Sequence, residues 1–393
     1  MSETLFSQIE RLDTDPSGYS EPYFTYLEKS ARIEMARVRD LLESWFTRYP
    51  NAHKHEFKRR CQTNNIKFES AFFELYIHEL LLRLGYSVEV QPENRTANLK
   101  RPDFFVHNSD GEAFYLEATV ASGTSTEQMV QLARKNKVYD AINKIDSPNF
   151  FLGMKMKGSP STEPPIKSWL KQISGWLSSL DPDKFLEFSK HTDVDIRPKL
   201  ALSHDGWHIE FFATPKSIKA RAESGIRSIG MQMGDFEKVN STEVIRRAAI
   251  AKAKKYGKLD KPYIIAINVH TAFFDRIHVM EALFGTEQYI VTSEEDKPQI
   301  KIVRATDGAW TSPFGPRYTR VTGVLIMERL MPSNIAYSDL CLYHNPWASN
   351  SYNGQMQQLS EAIPTNGQMY WKDGIHPRCL FGMPEKWPEY EEK

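Results

Sequence analysis

The sequence predicts an α/β fold in which helices flank a central mixed β-sheet, with an N-terminal helical region and a C-terminal extension. Three observations carry that prediction. Apolar segments of helical period and of strand period alternate between about residues 63 and 275. Tyr263-Ile264-Ile265-Ala266-Ile267-Asn268-Val269 is an almost unbroken apolar run of strand length, as expected of a central strand covered on both faces. Asn108-Ser109-Asp110-Gly111 is a strong turn signal between the β-prone runs Phe104-Phe105-Val106 and Phe114-Tyr115-Leu116, and so marks a β-hairpin.

Each element follows from its local pattern. Residues 1–62 form a helical region in which Ile33 to Phe46 places Ile33, Ala36, Val38, Leu41, Leu42 and Trp45 for packing. Phe68 to Leu84 is apolar on most sides, hence a largely buried helix; Gly85 stops it, and Tyr86 to Val90 alternates as a strand. Beyond the hairpin, Thr124 to Ile145 is a helix opened by Thr124-Ser125-Thr126 with Glu127 close behind. Phe150 to Lys155 is a strand, Gly158 to Pro165 a loop, and Ile166 to Leu180 a helix whose Trp169 and Trp176 lie two turns apart and belong to a core. Trp207 to Ala213 is a strand, and Arg246 to Lys258 is a helix with a dense basic face. The core domain therefore covers residues 63–275 with one long insertion. Residues 276–393 form an extension in which Gly323 to Met327 is a strand and His344-Asn345 a structural turn; periodicity is otherwise weak.

Composition narrows the class without deciding it. The chain has 393 residues, 40% hydrophobic and 25% charged, values ordinary for a globular protein with a sizeable core. It has no run of about 18 apolar residues and no basic-then-apolar start, so no membrane partner and a cytoplasmic location are expected. Cys61, Cys341 and Cys379 are odd in number and far apart, which argues against a zinc cage. Fifty basic residues balance fifty acidic ones, so a large DNA-wrapping surface is not expected. Basic residues are instead grouped, at Lys54, Lys58, Arg59, Arg60 and Lys67 and along the helix carrying Arg246, Arg247, Lys254 and Lys255, where contact with a nucleic-acid backbone is expected.

The hairpin carries the chemistry. Asp103 follows Arg101-Pro102 at the start of one strand, and Glu117 lies within Tyr115-Leu116-Glu117-Ala118-Thr119 on the other. The pairing brings both carboxylates to one end of a sheet, where they repel unless a cation lies between them, and hard oxygen ligands of this kind suit Mg²⁺. The preceding buried helix embeds Glu74, flanked on its face by Ala71, Ile77 and Leu81, where an unpaired carboxylate is costly.

The order of these parts (helix with embedded glutamates, Gly-Tyr, strand, Pro-Asp strand, turn, glutamate-bearing strand) resembles the PD-(D/E)xK nuclease-like superfamily. The resemblance covers about fifty residues and implies a restriction-endonuclease-like core. It implies a metal-dependent nuclease acting on DNA, with Asp103, Glu117 and the Ala118 carbonyl oxygen as ligands to Mg²⁺, for which Mn²⁺ would substitute. Glu74 would complete or assist the site. It leaves homodimerisation open and makes a defence or restriction role an analogy. Position 119 departs from the pattern, since Thr stands where the family has lysine. The lysine migrates in several branches of the superfamily, and the candidates here are Lys155, Lys135, Lys137 and Lys144, with Lys155 first. Two alternatives stay open: a nuclease-like module that binds nucleic acid or protein without cutting, and an unrelated α/β enzyme with a similar hairpin.

Overall fold

The computed structural model describes residues 3–93, 100–185, 197–221, 227–234, 239–292 and 299–389. The chain divides into two compact units: residues 1–15, 22–123 and 239–393 form the first, and residues 16–21 and 124–238 the second.

The first unit opens with four helices, α1 (Tyr23–Lys29), α2 (Ile33–Arg48), α3 (Asn51–Thr63) and α4 (Asn65–Arg83). Asn64 caps α4 by accepting from the Lys67 N–H; Gly85, at φ 86°, ends it in the left-handed region that favours glycine. Phe68, Phe72, Phe73, Leu75, Tyr76 and Leu80 are buried around α4, so the helix is apolar around most of its circumference. Glu79, at the C-terminal end of α4, is buried. Arg48 holds it at 2.9 and 2.7 Å, and Arg83 at 2.8 Å. β1 (Ser87–Val90), β2 (Phe104–His107) and β3 (Ala113–Ala121) follow as an antiparallel meander, with Phe104 opposite Leu116 and His107 opposite Ala113.

The second unit holds α5 (Thr126–Asn143), β4 (Phe150–Lys157), α6 (Ile166–Ser179), β5 (Lys199–His204), β6 (Trp207–Pro215), α7 (Ile218–Arg221) and β7 (Ile229–Gly234). Its sheet runs β5-β6-β4-β7. α5 starts with a capping box between Ser125 and Gln128. Tyr139 and Ile142 of α5 and Trp169 and Ile173 of α6 form one core with Leu152, Met154, Trp207 and Phe211.

The chain re-enters the first unit through α8 (Ser241–Ala253), β8 (Tyr263–Val269) and α9 (Arg276–Phe284), then the two-stranded β9 (Glu287–Thr292) and β10 (Gln299–Arg304). It continues through β11 (Gly323–Glu328), β12 (Leu340–His344), β13 (Glu361–Thr365) and β14 (Gln368–Lys372) to α10 (Pro377–Phe381). β8 is parallel to β3 on one side and to β11 on the other, and is buried at every position. The result is an eight-stranded mixed sheet, β1-β2-β3-β8-β11-β12-β13-β14, with helices on both faces.

Two expected boundaries are not structural boundaries. Position 62 falls in the last turn of α3, whose Phe57 and Cys61 share a core with α4 and the sheet. Residues beyond 275 are integral, since β11 to β14 make half of the large sheet. The periodicity of this segment was weak because its strands are short and irregularly spaced. His344 is held by Glu361 at 2.7 Å and the Asn345 amide by the Val321 carbonyl at 2.8 Å, a structural role. Among the described residues no helix is long and apolar enough to cross a membrane.

The period of two sorts side chains between the faces of the sheet. Phe114, Leu116 and Ala118 share a core with α4, whereas Tyr115 shares one with Ile245, Ala249 and Ala253 of α8. Glu117 has the parity of Tyr115 and so faces α8.

Gly153 offers a test of the second unit. A Cβ there would lie 1.9 Å from the Phe212 ring, which is itself fully buried. Gly153→Ala is expected to destabilise this unit by roughly 1–3 kcal/mol through overpacking, read as an earlier transition in calorimetry. An unchanged melting profile would contradict the packing.

Candidate active site

Asp103 and Glu117 stand opposite each other, one register step beyond the Phe104–Leu116 pair. Pro102 biases Arg101 to extended backbone and leads the chain straight into β2. Asp103 Oδ2 accepts from the Ala118 N–H at 2.8 Å, which fixes the carboxyl against β3.

Glu117 is fully buried on β3, where an unpaired carboxylate would be prohibitive. Lys252 Nζ donates to its Oε2 at 2.8 Å and Lys255 Nζ to its Oε1 at 2.6 Å. The Tyr256 hydroxyl is within reach of Glu117 Oε1 and of the Arg101 carbonyl (2.9 Å), and donates to one of them at a time. All three partners come from the C-terminal end of α8 and the residues just after it, Lys252 in the last turn and Lys255 and Tyr256 beyond the cap at Lys254.

The two carboxyls are pushed in opposite directions. Burial pushes Asp103 up to about 7, with the charges of Glu117 and Glu74 adding to the rise against Lys252 and the Ala118 N–H. Burial also works to raise Glu117, but Lys252, with hydrogen bonds from Lys252, Lys255 and Tyr256, outweighs it and holds this carboxyl below its usual range. For Lys252, burial favours the neutral amine; Glu117 and Asp103 overcome it and raise its pKa, so the ammonium stays charged.

Glu74 is placed differently from the expectation. It lies on α4, against the opposite face of the sheet from α8, and Arg60 of α3 clamps both its oxygens at 2.6 Å. Its charge is felt at Asp103 and Lys252, but its lone pairs serve an ion pair. Among the described residues no three His, Cys, Asp or Glu side chains are grouped to hold a metal ion.

The expected lysine is also elsewhere. Lys155 is exposed on β4 of the second unit, in register with Glu210, in a different unit from Asp103 and Glu117. Lys135, which bonds the Gly158 carbonyl at 2.8 Å, and Lys137, paired with Glu163 at 3.0 Å, lie on α5 of that unit, and Lys144 caps it. The ammonium groups that meet the hairpin are Lys252 of α8 and Lys255 just after it. Of the residues expected to hold nucleic acid, Arg246 and Arg247 both pair with Glu243, and Arg246 also reaches Asp307. Lys254 is exposed, and Lys255 is drawn into the site. The roles of Lys252 and Tyr256 were missed. The sequence does carry a signal for them: Ile245, Ala249 and Ala253 form the buried stripe of α8, and Lys252 borders it.

No family model matches the chain, and neither a curated protein nor a solved structure matches it.

Opposite pKa shifts predict opposite mutational effects on stability. Folded Asp103 keeps its proton to about pH 7, whereas the unfolded residue releases it near the ordinary value of 3.8. Its contribution therefore declines as pH rises from about 4 to about 7. Asp103→Asn, with no metal added, should raise the melting temperature at pH 8 and leave it nearly unchanged at pH 4. Glu117, with its lowered pKa, is fully stabilising at pH 8 and loses that contribution only as pH falls below its usual range. Glu117→Gln strands two ammonium groups and should cost about 3 kcal/mol or more at pH 8. Equal shifts of one sign for both variants would contradict the asymmetry.

Proposed function

We propose that the protein is a metal-dependent nuclease that hydrolyses phosphodiester bonds, with DNA as its first substrate, on a restriction-endonuclease-like core. The element order supports it: buried α4, the meander β1-β2-β3, and α8 leading to β8 parallel to β3, with the second unit inserted between β3 and α8. One observation carries the reading: Lys252 and Lys255 reach Glu117 beside Asp103, supplying from α8 the cationic groups absent at Thr119.

The donor set fits a hard divalent cation. Asp103, Glu117 and the Ala118 carbonyl oxygen would hold it; Asp103, raised first by burial and then by the charges of Glu117 and Glu74, is the carboxyl that a cation would relieve. A cation held there would supply an activated water and offset charge on the phosphate. Glu117 would then give up at least one ammonium contact. Lys252, held charged, does not act as a base; released towards the substrate, its ammonium offsets the charge that builds on the phosphate oxygens. Glu74 and Arg60 support the site through charge and packing. A binding module that does not cut is favoured by one observation, the ammonium groups already at both Glu117 oxygens.

Cleavage assays separate the two readings. With Mg²⁺ or Mn²⁺, the wild-type chain should cut single-stranded or duplex DNA, and EDTA should stop it. Asp103→Asn should abolish cutting, and Lys252→Met should slow it about 10²- to 10³-fold while nucleic-acid affinity holds. Lys155→Ala should have no effect. Nucleic-acid binding without cleavage by the wild type would favour the module instead.

A further inference from the structure

The segment between β10 and β11 displays an aromatic ring in solvent. Phe314 has 101% of the exposure of a free side chain, the highest among the described large apolar residues. A single exposed apolar residue is ordinary, but here the backbone imposes the exposure. The Gly315 N–H donates to the Ser312 carbonyl (3.0 Å), and Ser312 Oγ donates to the Gly315 carbonyl (2.8 Å) and accepts from the Phe314 N–H (3.3 Å). Gly315 sits at φ 107°, and Pro313 and Pro316 flank the pair. Beneath the turn, Trp310 is buried against Phe284, ring centroids 5.0 Å apart, and its carbonyl accepts from the Arg317 N–H at 2.8 Å. The ring is therefore held outward on a firm base.

The same loop carries Arg317 and Arg320, and Arg320 ties it to the segment after α8. Exposed Arg317 lies over the Tyr318 ring at 5.0 Å. Arg320 donates to the carbonyls of Tyr256 and Gly257, which ties this loop to the residue whose hydroxyl reaches Glu117. Lys254 and Lys258, also exposed, lie in the same tied segment.

We propose that Phe314 is a stacking contact for an unpaired base of the nucleic-acid substrate, with Arg317 placed for the adjoining phosphate. An outward aromatic ring on a loop that also carries an exposed guanidinium is chemistry suited to unstacked nucleotides. The proposal rests on the nuclease reading and specifies the substrate as one with a single-stranded segment.

Binding of the full chain, in EDTA, to a fluorescein-labelled single-stranded DNA oligonucleotide and to a blunt duplex of the same length tests it. Phe314→Ala should weaken single-strand binding about tenfold or more, change duplex binding less than twofold, and abolish quenching of a 2-aminopurine in the single strand. Phe314→Trp should restore both. Equal effects on the two DNAs, or none, would overturn the stacking role while leaving the nuclease reading intact. A wild-type chain that neither binds nor cuts either DNA would overturn both.

Discussion

The Glu117 carboxylate lies on β3 of the large sheet, out of reach of water, and its charge is tolerable there only because α8 brings Lys252, Lys255 and Tyr256 to it. Much of the first unit follows from that requirement. α8 has to lie over the β3–β8 pair with its C-terminal end at mid-strand, and its small residues Ala249 and Ala253 let the helix approach the sheet. The long detour through the second unit does not disturb this arrangement, because the polypeptide leaves after β3 and returns just before α8. A buried ion pair adds little net stability compared with an apolar pair. What the pair does supply is positive charge beside Asp103.

The same contact makes the site electrically uneven. Asp103 accepts from the Ala118 N–H and feels the negative charge of both Glu117 and Glu74. Glu117 holds the ammonium groups of Lys252 and Lys255, and Glu74 holds Arg60. Two of the three carboxylates are thus neutralised by the chain itself, and Asp103 is left as the acid with unmet demand for positive charge. That is the condition in which a divalent cation gains most by binding.

Much of this was legible in the sequence. The apolar run of β8, the turn between β2 and β3, and the all-round apolarity of α4 each followed from local pattern, and the opposition of Asp103 and Glu117 followed from the hairpin register. The identity of the lysine did not. Strand order decides which helix returns over β3, and the first helix after the hairpin, α5, belongs to the inserted unit. The partner of Glu74 was likewise not legible from its helix alone, because Arg60 comes from α3, fourteen residues earlier. The short strands β12 to β14 escaped because their partners give them order that their own periodicity does not.

The most direct test is calorimetric titration of the full chain with Mn²⁺ in buffers of differing ionisation enthalpy. If Asp103 is a ligand whose carboxyl holds a proton up to about pH 7, one site should fill with release of close to one proton near pH 6 and almost none from that group at pH 8.5. Asp103→Asn should remove both the binding and the proton. Absence of Mn²⁺ binding, or binding unchanged in the variant, would contradict the account.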